Sequence, residues 1–136
     1  MADGASNRGT TILVAEDEQP VRDLLQKVLG TAGFNVLVAE DGEKALQVAD
    51  QHTGKIDLLL SDVVMPEMSG VALAKALKAN HPESRIVLTS AYDQGMLVMD
   101  SEWHFIQKPY LPQRLLEEVR KALSIPPEKF KPEEHD

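Results

Sequence analysis

Five short apolar runs with no polar alternation, at residues 12–15, 36–39, 58–60, 86–88 and 104–106, constrain this chain most strongly. A strand that offers no polar face to water must be covered on both sides, which is the condition of a parallel sheet. Segments of helical period separate the runs. Val21, Leu24, Leu25, Val28 and Leu29 form one stripe, with Pro20 suited to its first turn and Gly33 to its end. A second helix carries Ala45, Leu46, Val48 and Ala49, and a third carries Val71, Ala74 and Leu77, with Pro82 beyond it. The last carries Leu115, Leu116, Val119, Ala122 and Leu123 and is opened by Pro112. The stretch between Tyr92 and Trp103 is the weak one: Gly95 sits inside it, and four consecutive apolar residues there make no clean stripe. Strand and helix alternating in this way predict an α/β domain, a flavodoxin-like three-layer sandwich. Its five-stranded parallel sheet has the order 2-1-3-4-5, with right-handed crossovers and a short or irregular helix between strands four and five.

The length of 136 residues suits one core. Residues 1–10 are small and polar and read as a flexible leader, and residues 11–123 form the domain. Residues 124–136, with three prolines among charges, read as a tail or linker. The absence of cysteine excludes disulfides and thiolate metal sites. A net charge of -8 argues against nucleic-acid binding, which needs clustered Lys and Arg. No stretch approaches the roughly 20 apolar residues of a membrane helix, and the first residues lack the apolar core of a secretory signal. The cytoplasm is the expected compartment.

In a sheet of this order, ligands bind beyond the carboxyl ends of the strands, where the order reverses. That point lies between strand one, ending in Glu16-Asp17, and strand three, ending in Ser61-Asp62. Neighbouring strands are about 4.8 Å apart, so these carboxylates converge and repel unless a cation joins them. An all-oxygen donor set favours a hard ion such as Mg²⁺. Glu16 and Asp17 have a plainer reading as the acidic start of the first helix. Thr89-Ser90 and Lys108-Pro109 end strands four and five at the same edge. A turn hydroxyl or a surface lysine explains each of them singly. Together with the acids they make a site for a phosphoryl dianion.

The runs ILVAEDE (12–18), DLLLSDVVMPEMSG (57–70), VLTSAY (87–92) and FIQKP (105–109) resemble the receiver domains of two-component response regulators, over nearly the whole chain. They are similar in particular to receivers that work beside hybrid histidine kinases. The resemblance implies that Asp62 accepts a phosphoryl group from a histidine kinase or phosphotransfer protein. It implies Mg²⁺ held by Asp17, Asp62, the Val64 carbonyl and, through water, Glu16. Lys108 would pair with the phosphoryl group. Ser90, followed by small Ala91, would be the switch hydroxyl in preference to Thr89, and Phe105 the switch aromatic, with Pro109 supporting the turn after Lys108. It also implies a signalling module, not an enzyme, monomeric in isolation, that passes its state to a downstream protein. Glu16 replaces a commoner Asp. The span from Ala91 to Gln107 is about one helical turn shorter than usual. An aspartyl phosphatase would need an Asp-x-Asp pair and a cap, and a flavin carrier a Gly-rich phosphate loop. A degenerate receiver would lack some of these site residues.

Overall fold

In a computed structural model, residues 9–91 and 103–124 are described. The element order is β1 (Thr11–Ala15), α1 (Gln19–Thr31), β2 (Asn35–Ala39), α2 (Gly42–Gln51), β3 (Leu58–Asp62), α3 (Gly70–Asn80), β4 (Arg85–Ser90), β5 (His104–Gln107) and α4 (Pro112–Ser124). All ladders are parallel and the strand order is β2-β1-β3-β4-β5, as the sequence pattern predicts. The short or irregular helix expected between strands four and five, most of the leader and the tail lie outside the described residues.

Alternate strand residues feed two cores, one on each face of the sheet. Leu13, Leu59, Ile86 and Leu88 pack with Ala45, Ala49, Leu73 and Leu77 of α2 and α3. Ile12, Leu58, Leu60, Val87 and Ile106 pack with Leu25 and Leu29 of α1 and with Leu115, Val119 and Ala122 of α4. This two-sided burial explains why the central strands read as unbroken apolar runs. Among the described residues no helix is long and apolar enough to cross a membrane.

The helix ends follow local chemistry. Asp41 caps α2 by accepting from the Lys44 amide at 2.8 Å, and Ser69 caps α3 by accepting from the Ala72 amide at 3.1 Å. Helix α1 has Pro20 in its first turn. It ends on a paired motif: the Phe34 amide donates to the Leu29 carbonyl (3.2 Å) and the Gly33 amide to the Gly30 carbonyl (3.0 Å). Gly33 takes φ 103°, open to glycine and strained for other residues.

One member of the expected α1 stripe is displaced. Leu24 is 49% exposed, while Leu25 and Leu29 are buried. The sheet reaches only a narrow strip of the helix, and Leu24 lies just off it. Leu59→Ala should therefore cost about 2–5 kcal/mol in urea denaturation, whereas Leu24→Ala should stay within about 0.5 kcal/mol. Equal losses at the two positions would contradict this packing.

Candidate functional site

The carboxyl ends of β1, β3, β4 and β5 meet at one edge of the sheet. Register pairs Ala15 with Ser61, Asp62 with Thr89, and Ser90 with Gln107, so the residues that follow converge. Carboxylate oxygens of Glu16, Asp17 and Asp62 all lie within 4.8 Å of one another. Two of these residues come directly after β1, ahead of α1, whose N-cap is Glu18. They belong to the crevice, and the reading of them as the helix's acidic start does not hold.

Lys108 follows β5, two strands from β3 and so about 10 Å across the sheet. Its side chain bridges that gap. Its Nζ donates to Asp62 Oδ2 at 3.0 Å and lies 3.8 Å from Glu16 Oε1. Its amide donates to the Ser90 carbonyl at 2.8 Å, which fixes where the side chain starts. The peptide bond from Lys108 to Pro109 is cis.

The loop after β3 is fastened on both sides of Asp62. The Val63 amide donates to the Thr89 carbonyl, and the Gly70 amide to the Val63 carbonyl, each at 2.8 Å. A Cβ on Gly70 would strike the Asp62 carbonyl oxygen, so only glycine allows this approach. The Ser61 hydroxyl donates to that same carbonyl at 2.9 Å, and the Val64 amide reaches Asp62 Oδ1 at 3.3 Å. Thr89 and Ser90 are both buried at this edge, and Ala91 beyond them is exposed. Phe105 lies opposite Leu88 and packs, partly buried, on the α2–α3 side.

Glu16 is buried, and burial is the main reason its pKa is raised above 4.5. The Glu18 amide, donating to it at 3.2 Å, and the Lys108 ammonium oppose the rise, while Asp62 and Asp17 add to it. For Lys108, burial alone would lower the pKa. The hydrogen bond and charge of Asp62, with help from Glu16, overcome that and raise it. A raised lysine contributes stability throughout the range below its unfolded value, lost only as pH climbs through the folded one. Tyr110 is also raised, first by its own burial, against the pull of Lys108.

Two residues that support the site escape sequence reasoning. Arg22 Nη1 donates to the Glu16 carbonyl at 2.8 Å and ties α1 to the turn after β1. A bond to a backbone carbonyl six residues back leaves no sequence signature. Tyr110 stands two residues past Lys108, and its position was the available signal. Gly70, by contrast, was legible: it closes the DLLLSDVVMPEMSG run, and its lack of a Cβ is what the close approach to the Asp62 carbonyl requires.

Residues 12–120 match the family model of the response regulator receiver domain. The chain belongs to that family. It is 33% identical over 117 residues to the sensor kinase CckA of Brucella abortus (strain 2308), covering 83% of this chain and 12% of the kinase. Among solved structures, the receiver domain of the hybrid histidine kinase CckA is 36% identical, with a TM-score of 0.72, 83% of this chain covered and 98% of the other. The response regulator TrrA of Thermotoga maritima, solved in complex with Mg²⁺-BeF, is 31% identical with a TM-score of 0.72, covering 84% and 99%. The chain spans 48% of the length of the transcriptional regulatory protein CpxR of Escherichia coli (strain K12), to which it is 36% identical, and 97% of the chemotaxis protein CheY of Bacillus subtilis (strain 168), to which it is 33% identical.

The acidic cluster fits a hard divalent cation: three oxygen donors face one crevice, and one of them is buried with its charge only partly offset. Because the folded pKa of Glu16 exceeds the unfolded one, the stability linked to its proton is full below about 4.5 and lost as pH rises through the folded value. Without metal, Glu16→Gln should therefore be more stable than wild type at pH 7, and the advantage should shrink toward pH 4. Thermal melts across that window, in the presence of a chelator, measure it. A variant less stable at pH 7 than at pH 4, relative to wild type, would reverse the sign.

Proposed function

We propose that residues 11–123 act as a phosphoaccepting receiver in which Asp62 takes the phosphoryl group. The observation that carries this reading is the Asp62 carboxylate held 3.0 Å from the Lys108 ammonium inside a cluster of three acids. Asp17, Asp62, the Val64 carbonyl and, through water, Glu16 would hold Mg²⁺. Bound there, the ion neutralises the negative charge shared by carboxylates and phosphoryl oxygens.

The chain's own residues supply position and charge. An Asp62 carboxylate oxygen attacks phosphorus in line, an O–P bond forms, and the bond to the donor's imidazole nitrogen breaks. The electron pair leaves with the imidazole, which takes a proton from solvent or from its own protein. The transition state is loose, so the domain's task is orientation and charge stabilisation. Lys108 is placed for both, because it already contacts the attacking carboxylate. The Val63 and Gly70 amide bonds keep the Asp62 loop from swinging.

The donor is a histidine kinase or a phosphotransfer protein, and the setting is the cytoplasm. The similarity to a hybrid-kinase receiver supports a phosphorelay role. Ser90 serves as the switch hydroxyl: it can donate to the new phosphoryl oxygens and draw the end of β4 inward. Register alone sets Thr89 opposite Asp62, but small Ala91 leaves the Ser90 side the room to move. Phe105, only partly buried on β5, responds to that movement, and a downstream protein reads the changed surface. The domain is monomeric before phosphorylation.

Acetyl phosphate or phosphoramidate with Mg²⁺ should add one phosphoryl group by intact mass, and Asp62→Asn should abolish the stable product. Asp17→Ala should weaken Mg²⁺ binding at least about tenfold with the fold retained. A product of equal yield in Asp62→Asn would show that another residue is the acceptor.

The lifetime of the product follows from Val64, which is 54% exposed beside Asp62 and offers no polar side chain to orient a hydrolytic water. In receivers the residue two after the acceptor and the one two after the switch hydroxyl flank that water's path; the second, Tyr92, lies outside the described residues. Val64→Asn combined with Tyr92→Glu should shorten the phosphoaspartate half-life about tenfold, read by phosphate release. Wild-type decay as fast as the double variant's would defeat this account.

A further inference from the structure

Glu118 is a buried carboxylate that the phosphoryl site does not use. It stands on α4 at 7% exposure, in the stripe with Leu115, Val119 and Ala122 that faces the core. A carboxylate in such a position is unfavourable unless paired. Its Oε2 lies 3.2 Å from His104 Nδ1. Its Oε1 lies 3.6 Å from Arg114 and 4.0 Å from Lys121. Arg114 and Lys121 are more than half exposed, so those contacts count for little. The His104 contact is the shielded one, at 13% and 9% side-chain exposure.

His104 opens β5, and Lys108 follows the same strand four residues later, about 13 Å along it. Among the described residues β5 is an edge strand of four residues, bonded to β4 alone, and Ile106 is its one fully buried side chain. It is fastened at its far end by the Lys108 amide on Ser90 and at its near end by His104 on Glu118. Residues 108–111 join β5 to α4, whose first turn is closed by the Leu115 amide on the Leu111 carbonyl at 3.1 Å. The His104–Glu118 contact thus closes a loop of strand, turn and helix that carries the Lys108 ammonium.

We propose that Glu118 is a positioning residue for phosphoryl transfer: through His104 it sets β5 against α4, and so sets Lys108 against Asp62. This rests on Asp62 being the acceptor. A shift of about 1 Å in a group that orients reactants can cost orders of magnitude in rate, so a contact about 13 Å away along the same short strand is close enough to matter.

Glu118→Leu is made alone and together with His104→Val, because a buried pair replaced on both sides by well-packed apolar residues is often neutral or stabilising, whereas loss of one partner alone destabilises. His104→Val deletes the contact from the other side. With saturating phosphoramidate and Mg²⁺, each variant should be modified about tenfold more slowly than wild type, with Mg²⁺ affinity within about twofold. Glu118→Gln, which keeps an acceptor for the imidazole, should stay within about threefold. In a Lys108→Ala background, Glu118→Leu should slow the reaction no further, the mark of action through Lys108. An unchanged rate in Glu118→Leu, an equal loss without Lys108, or a parallel loss of Mg²⁺ affinity would overturn the assignment. A wild type that takes no phosphoryl group would defeat the acceptor reading instead. The ¹³Cε resonance of Lys108 in metal-free protein then decides this proposal separately: it should move in Glu118→Leu, and an unmoved resonance refutes it.

Discussion

The Lys108 ammonium stands 3.0 Å from Asp62 and 3.8 Å from Glu16, beside three carboxylates gathered within 4.8 Å. One positive charge cannot balance three acids, and burial of Glu16 makes the imbalance felt at a distance where solvent would otherwise screen it. The fold exists around this tension. Two buried strands force the acids together, since apolar packing on both faces of β1 and β3 leaves Glu16 and Asp62 no retreat from the crevice. A site so poised gains from any added cation and from any donor that brings its negative charge with a metal. The same imbalance disfavours a flavin phosphate, because Glu16, Asp17 and Glu18 occupy the turn where such a carrier needs neutral amides.

The halves of the site differ in how firmly they are held. The acids come from central strands with neighbours on both sides. Lys108 and Phe105 come from β5, which is short and bonded along one edge among the described residues. Chemistry needs the acceptor fixed, while signalling needs something near it that moves. A sheet of order 2-1-3-4-5 supplies both, with rigid carboxylates at the switch point and an adjustable strand two places away. Phosphoryl oxygens on Asp62 would face Lys108 from β5 and the Thr89–Ser90 end of β4, so a change at the acceptor would reach the edge strand.

Much of this was legible in the sequence because burial on both faces imposes one pattern on a strand. The runs around Leu13, Leu59 and Ile106 could not have been helices of useful length, and their ends located Glu16, Asp62 and Lys108. What stayed hidden was set by tertiary geometry. Leu24 fits the α1 stripe by period, yet the sheet's reach stops short of it. Glu118 breaks the α4 stripe by type, yet is buried where His104 reaches it from a strand, fourteen residues earlier in the chain. Arg22 looks like any solvated helix residue until its guanidinium is found on the Glu16 carbonyl.

Arg22 and Glu118 share a logic that bears on how the site tolerates its own charge. Each belongs to a helix on the same face of the sheet, and each reaches back to the strand or turn that presents a charged site residue. Arg22 holds the main chain of Glu16, leaving that carboxylate free to face the crevice. Glu118 holds the start of β5, leaving Lys108 free to cross it. Neither spends its charge on the acids themselves. Had Arg22 paired directly with Asp62 or Glu16, the cluster would be neutralised in the resting protein and would lose its demand for a cation. The Arg22 charge is thus placed on the backbone and Lys108 is left to face the carboxylates, so the three acids keep the excess negative charge on which phosphoryl acceptance would depend.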